Sequence, residues 1–184
     1  FTDCTFTSKA SEVGYADTSS ATVLLGSRNF LGFNRCLFLF PDKAISYILW
    51  DPQSHSTGIG SFIKSCTFVF GSINTDYLFQ TLRPNTEVKD NIFYFNQSNH
   101  SSATLRITSE TTSMSGLGEN NCVYISDGSS IDSTNSDGRF ISVNPQLISP
   151  STRNGCQLRP SSPLIGGLSE EHTSELQSPY HISY

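Results

Sequence analysis

Apolar and polar residues alternate in short runs along the chain, and one pattern of this kind recurs. In each copy a Cys or Asn is followed two residues later by a large apolar residue. In most copies a second large apolar residue follows two positions after the first. The copies are Phe1–Phe6, Phe33–Phe40, Ile63–Phe70, Val88–Phe95 and Asn121–Ile125. Alternation over such short runs predicts β-strands, because successive side chains of a strand point to opposite faces.

The copies recur at a nearly regular spacing. From Cys4 to Cys36 is 32 residues, followed by 30 to Cys66, 25 to Asn91 and 30 to Asn121. A period of this length is typical of repeat architectures, in which each repeat packs against its neighbours. One match could arise by chance in a Phe-rich chain, but four matches and a fifth in the same register favour a true repeat.

Stacking the copies in register predicts three inward-facing columns of side chains. Parallel strands lie about 4.8 Å apart, so equivalent residues come directly above one another. Aromatic columns gain offset stacking, and Asn columns gain amide ladders. The predicted columns are Cys4/Cys36/Cys66/Asn91/Asn121, Phe6/Phe38/Phe68/Phe93/Val123 and Ser8/Phe40/Phe70/Phe95/Ile125. Cys122 falls outside the first column, because the register of Asn121 turns it to the outward face.

A second set of strand-like runs falls between the copies, so each repeat contains at least two strands joined by polar turns. These runs are Ala21–Gly26, Ala44–Leu49, Asp76–Leu82 and Ala103–Thr108. We predict an all-β fold, a right-handed parallel β-helix (solenoid) of about five to six coils. An antiparallel sandwich or jelly roll is the alternative, although such a fold does not require the fixed offset of the three columns.

Composition and charge restrict the partners and the role of the cysteines. Charged residues make up only 15% of the chain and the net charge is −5, with no basic run. We therefore expect no nucleic-acid partner, and the apolar runs are too short for a membrane span. Five cysteines cannot all pair with one another, and their spacings fit neither a zinc site nor a redox pair. We interpret Cys4, Cys36 and Cys66 as small buried core residues.

The segment from Phe140 to Gly166 carries a resemblance to a known family. It reads Phe140-Ile-Ser-Val-Asn144-Pro145-Gln-Leu147 and later Cys156-Gln-Leu-Arg-Pro160-Ser-Ser-Pro163-Leu-Ile-Gly166. It resembles the closing sequence of many bacterial right-handed parallel β-helix proteins of the pectin-lyase-like superfamily. Asn144 stands where the family usually has Asp, and Leu147 where it has an aromatic residue. With the repeats, the resemblance covers residues 1–167 and implies a fold without a particular chemistry.

Residues 168–184 differ from the rest of the chain. The run Glu170-Glu171-His172-Thr173-Ser174-Glu175-Leu176-Gln177-Ser178 resembles the conceptual translation of a common short-read sequencing adapter. It contains three Glu and one His within six residues, whereas carboxylates are sparse before it. We expect an artefactual or disordered tail without function; a genuine polar tail is the alternative.

The resemblance prompts a search for catalytic groups, since the superfamily includes lyases and hydrolases of acidic polysaccharides. Such enzymes use clustered carboxylates, or calcium with an Arg or Lys base. The sequence has no carboxylate column, no Gly-His-Gly and no Arg-x-Lys. Asp51–His55 groups Asp, Ser and His but is typical of a turn, and Asp127–Gly138 misses the spacing of a calcium loop. We predict no catalytic residue, no metal site and no cofactor.

One outward column provides a candidate binding surface. It runs Thr7, Leu39, Val69, Tyr94 and Tyr124. Apolar and aromatic side chains that face out of a β-helix can form a platform for sugar rings, and we predict Tyr94 and Tyr124 as glycan contacts. The alternative is that a loop from the turn segments covers this column.

These observations lead to one expectation and one alternative for the function. We expect a non-catalytic portion of a secreted or cell-surface protein, which acts as a rigid scaffold or binds polysaccharide or a cell-surface glycan. Since the chain begins at Phe1 inside a strand-like run, we expect a C-terminal fragment whose signal peptide is missing. The alternative is the C-terminal part of a polysaccharide lyase or glycoside hydrolase with its catalytic coils upstream. The oligomeric state is not indicated by the sequence.

Overall fold

A computed structural model describes residues 1–7, 15–16, 22–26, 32–50, 62–79, 86–99, 104–108, 120–132 and 140–165. Regular structure within these ranges is almost entirely β, with one short 3-10 helix at Asn154–Cys156. The strands are β1 (Thr5–Thr7), β2 (Tyr15–Ala16), β3 (Thr22–Gly26), β4 (Gly32–Asn34), β5 (Leu37–Ile45), β6 (Tyr47–Trp50), β7 (Phe62–Lys64), β8 (Thr67–Ile73), β9 (Tyr77–Phe79), β10 (Glu87–Lys89), β11 (Ile92–Ser98), β12 (Thr104–Thr108), β13 (Asn121–Ile125), β14 (Ser130–Asp132) and β15 (Phe140–Ile141).

The described strands form three sheets, and the chain enters the sheets in turn. Sheet I has the order β1-β5-β8-β11-β13-β15, sheet II the order β10-β7-β4, and sheet III the order β14-β12-β9-β6-β3-β2. Pairing is parallel between these strands except for the antiparallel pair β2 and β3. From β4 to β12 the chain visits sheets II, I and III in that order three times. The prediction of an all-β fold built from parallel strands is confirmed.

Sheet I brings the predicted aromatic columns into register. Phe38 aligns with Phe68, Phe68 with Phe93, and Phe93 with Val123. Ring centroids in the first column, Phe6/Phe38/Phe68/Phe93, lie 4.7, 4.5 and 4.9 Å apart. Those in the second, Phe40/Phe70/Phe95, lie 5.4 and 6.2 Å apart. Ser8, the predicted first member of the second aromatic column, lies outside the described residues.

A residue with left-handed backbone geometry lies directly before each Cys or Asn of the first predicted column. The φ angles range from 50 to 60° at these positions, which are Asp3, Arg35, Ser65, Asp90 and Asn120. In three repeats this residue turns the chain from sheet II into sheet I. Asp and Asn tolerate this conformation better than most residues. This turn separates a short strand of sheet II from the following strand of sheet I. These repeats therefore contain three strands, one more than the two that the sequence predicts.

The predicted run Ala44–Leu49 is divided in the structure. β5 continues to Ile45 and β6 begins at Tyr47. β5 also carries an irregularity between Phe40 and Ala44, where it pairs with β8. The neighbouring position in β8 is Gly71, where a Cβ atom would lie 2.7 Å from the Pro41 carbonyl oxygen. Glycine is therefore required by the close approach of the two backbones.

The apolar side chains of all three sheets share one core. The two aromatic columns of sheet I belong to this core. Sheet II and sheet III contribute aliphatic and aromatic residues that are buried against these columns, namely Phe33, Ile63, Val88, Ile48, Leu78, Phe79, Leu105 and Ile107. The inward-facing residues predicted from the alternation thus form the main hydrophobic core.

Candidate functional site

The outward-facing side chains of sheet I form a second hydrophobic cluster on the face opposite the core. Leu39, Val69, Ile92 and Cys122 supply its sheet side. Its other side comes from residues 143–164, here called the closing segment, through Leu147, Cys156, Leu158 and Leu164. Val69 is fully buried in this cluster. The closing segment therefore covers this part of the outward column.

Local hydrogen bonds hold the closing segment in shape. The Asn144 Oδ1 atom accepts the Gln146 amide at 2.8 Å, and Gln146 has a φ of 53°. Leu147 and Leu158 form an antiparallel bridge. The Ser162 hydroxyl donates to the Pro145 carbonyl oxygen at 2.7 Å. The Asn144 side-chain oxygen thus stabilises this turn, a role that an Asp side chain can also perform.

The two predicted glycan contacts lie side by side on the outward face. Tyr94 and Tyr124 are aligned in adjacent strands, with ring centroids 5.7 Å apart and an interplanar angle of 45°. Both are half-buried, and Tyr94 packs against the second cluster. The Tyr124 hydroxyl accepts a hydrogen bond from Asn144 Nδ2 at 3.3 Å. The rings form a tilted pair beside the closing segment, with the exposed Thr7 further along the sheet.

The other candidate stretches from the sequence, Asp51–His55 and Asp127–Gly138, provide no further candidate site among the described residues. Asp51–His55 lies outside the described residues. The Asp127 carboxylate accepts the amides of Ser98 at 2.7 Å and Ser129 at 2.8 Å, so it stabilises a turn. Within the part of the chain that the structure describes, no group of three or more His, Cys, Asp or Glu could hold a metal ion. No helix among the described residues is long and apolar enough to cross a membrane.

The Cys and Asn residues of the first column form a continuous hydrogen-bond ladder inside the core. Asn121 Oδ1 accepts the Asn91 backbone amide at 3.1 Å and the Asn91 side-chain amide at 2.9 Å. Asn91 Oδ1 accepts the Cys66 amide at 2.9 Å, and Cys66 Sγ accepts the Cys36 amide at 3.4 Å. The predicted Asn ladder is confirmed, and the cysteine sulfurs continue it.

The stacked thiols of the ladder influence one another. All five cysteines of the chain are free, and Cys36 and Cys66 are almost completely buried whereas Cys4 is partly exposed. Contact with the Cys66 thiol holds the pKa of Cys36 below its usual value, because a thiol proton stabilises a neighbouring thiolate. Burial raises the pKa of Cys66. The spacing of the cysteines in the sequence does not predict the contact between the Cys36 and Cys66 thiols, because that contact depends on the exact register of β5 and β8.

Comparison with known proteins adds no relative. No protein-family model matches the chain, no curated protein matches it, and no solved structure matches it.

Proposed function

We propose that the three sheets are the faces of one right-handed parallel β-helix of the pectin-lyase-like type. The repeated order of sheets II, I and III supports this proposal, as does the in-register stacking of the ladder and the aromatic columns. Parallel strands joined by a crossover are right-handed in about 98% of cases. An experimental structure with left-handed crossovers between β5 and β8 would contradict the proposal.

The proposed function is that of a non-catalytic, rigid scaffold on a secreted or cell-surface protein, which binds polysaccharide or a cell-surface glycan. The observation that carries it is the pair Tyr94 and Tyr124, two half-exposed rings on adjacent strands. Aromatic faces bind the apolar faces of sugar rings, and such contacts are stronger when the rings need not be ordered on binding.

The surroundings of the tyrosine pair support a preformed site. Tyr94 is held by packing against the second cluster, and Tyr124 by its hydrogen bond with Asn144. Below them, the aromatic columns and the ladder connect successive strands of sheet I. The rings are therefore carried by strands and not by a loop, which favours a fixed geometry.

Affinity gel electrophoresis against a panel of neutral and acidic polysaccharides tests the function. We expect retardation by at least one polysaccharide and its loss in the double variant Tyr94→Ala/Tyr124→Ala. Tyr77→Ala is the matched control, because Tyr77 is also half-buried but lies on sheet III. Circular dichroism must show that all variants are folded. Retardation that is equal in the wild type and the double variant would overturn the assignment.

A further inference from the structure

Asn144 links the closing segment to the tyrosine pair, because both ends of its side-chain amide are bonded. The Oδ1 atom accepts the Gln146 backbone amide at 2.8 Å, and the Nδ2 atom donates to the Tyr124 hydroxyl oxygen at 3.3 Å. Since a backbone amide can only donate, the contact with Gln146 fixes which end of the Asn144 amide is the oxygen. The NH2 end therefore faces Tyr124, and the Tyr124 oxygen is the acceptor.

The direction of this hydrogen bond leaves the phenol proton of Tyr124 available to a ligand. A tyrosine hydroxyl has one proton and can also accept, and here Asn144 uses it as an acceptor. Asn144 is exposed and Tyr124 is half-buried, so a ligand on the outward face can reach the hydroxyl. An ionised Asp in place of Asn144 would reverse the bond, because a carboxylate only accepts and would take the phenol proton itself.

The polar side chains next to the pair along the chain are uncharged. Asn96 and Ser126 lie two positions after Tyr94 and Tyr124, so alternation places them on the same outward face, and both are exposed. The Ser126 hydroxyl donates to the Asn96 carbonyl oxygen at 2.8 Å, and Asp127 adds a negative charge at this edge. The cation–ring contacts among the described residues lie on sheets II and III, not on sheet I. The surroundings of the pair therefore favour an uncharged ligand.

Given the proposed glycan function, on which this step rests, we propose that the Tyr94/Tyr124 pair selects a neutral sugar, to which Tyr124 donates a hydrogen bond that Asn144 directs. The sugar ring lies on the aromatic faces, and one of its hydroxyl oxygens accepts the Tyr124 proton. Sugar hydroxyls match amide and hydroxyl partners, whereas a sugar carboxylate is best bound by the charge-assisted hydrogen bonds of Arg or Lys. Asn144 is a positioning residue, since it acts through Tyr124.

Matched pairs of polysaccharides test the ligand class by affinity gel electrophoresis of the full chain. The probes are the hydroxyethyl and carboxymethyl derivatives of cellulose, of galactomannan and of dextran, which share a backbone and differ in charge. Added salt screens the general repulsion of an anionic probe by the net charge of −5. We expect retardation by the neutral member of at least one pair and weaker or no retardation by its carboxymethyl partner. Retardation by carboxymethyl members alone would overturn the neutral assignment and leave the glycan function standing, whereas retardation by no probe would overturn both.

Three variants test the role of Asn144 on the neutral probe that gives the strongest retardation. Asn144→Asp keeps an acceptor for the Gln146 amide but removes the donor to Tyr124, and Tyr124→Phe keeps the ring but removes the hydroxyl. Each should weaken binding about 3- to 10-fold, which corresponds to one neutral hydrogen bond. The double variant should bind no more weakly than Tyr124→Phe alone, because the two residues act through one hydrogen bond.

Asn154→Asp is the matched control, since Asn154 is an exposed residue of the closing segment and the substitution makes the same change in charge. It should bind as the wild type does, and circular dichroism with urea unfolding should show that Asn144→Asp keeps the fold. Full binding by Asn144→Asp, or equal weakening by Asn154→Asp, would overturn the role of Asn144. Additive losses in the double variant would also overturn it, because they would show that Asn144 does not act through the Tyr124 hydroxyl.

Discussion

Cys and Asn perform the same structural role in the ladder, although their chemistry differs. Asn91 Oδ1 and Cys66 Sγ each accept the backbone amide of the preceding repeat. The side-chain amides also donate: Asn91 Nδ2 to the Ile63 carbonyl oxygen and Asn121 Nδ2 to that of Val88, both at 2.8 Å. Sulfur is a weak acceptor, so the Asn part of the ladder should be the stronger one.

The ladder predicts opposite outcomes for two substitutions of one residue. Cys66→Ala leaves the buried Cys36 amide without its acceptor and should lower the free energy of unfolding by about 1–3 kcal/mol. Cys66→Asn restores an acceptor and adds a donor in reach of the Phe33 carbonyl, as in the next two repeats, and should be close to neutral. Urea unfolding followed by circular dichroism measures both. Equal destabilisation by the two changes would contradict the shared role.

The inward columns could be predicted because alternation and a regular period fix which residues face the core. Phe38, Phe68 and Phe93 therefore fell where the sequence predicted them. The left-handed corners could not be predicted in the same way. Arg35 and Ser65 adopt φ near 50° although neither is a residue type that favours this geometry, so the surrounding strands and not local preference impose it.

The closing segment is the element that changes the interpretation of the candidate site. Its apolar residues Leu147, Leu158 and Leu164 follow no strand or helix period. Their burial of Leu39 and Val69 therefore cannot be predicted from the sequence pattern. Tyr94 and Tyr124 were identifiable from alternation, but their tilt and their position beside this segment depend on tertiary packing.

Because the closing segment buries part of the outward face of sheet I, two aspartate substitutions in it should differ strongly in their effect on stability. Leu158→Asp places a carboxylate in the second cluster, where Leu158 is 3% exposed, and should lower the free energy of unfolding by about 3 kcal/mol or more. Ile148→Asp is the control, because Ile148 is 50% exposed and its change should stay within about 0.5 kcal/mol. Binding of an apolar dye should increase only for Leu158→Asp. Similar stability of the two variants would show that the segment does not cover the sheet.

The packing of the closing segment against sheet I should weaken at alkaline pH. Burial raises the pKa of Cys122 and of Cys156 from 9.0 to about 12. Because the folded pKa lies above the unfolded one, the stabilisation is complete below pH 9 and is lost as the pH rises toward 12. Each thiol should lower the free energy of unfolding by up to about 1.4 kcal/mol per pH unit in that window. Urea unfolding at several pH values should show this slope. The double variant Cys122→Ala/Cys156→Ala should flatten it. An unchanged slope in the variant would show that ionisation of these two thiols does not cause the loss of stability.

At the scale of the whole molecule, β1 and β15 are the two end strands of sheet I among the described strands. β1 pairs with β5 but lies at the end of the strand order. Phe6 is only partly buried, whereas its equivalents Phe38 and Phe68 are 2% and 0% exposed, and Phe1 is 66% exposed. An unpaired strand edge next to exposed aromatic rings is a template for association with another chain.

We therefore expect the chain to self-associate through β1 when it is produced alone. Thr5→Lys/Thr7→Lys should suppress this, because charges on an edge strand oppose pairing with a second strand. Ser151→Lys/Asn154→Lys adds the same charge at exposed positions of the closing segment and should not suppress it. Sedimentation velocity over a range of concentrations separates the cases. A monodisperse, cooperatively melting wild-type monomer would contradict the prediction, and suppression by both variants would indicate that net charge, and not the edge of β1, controls association.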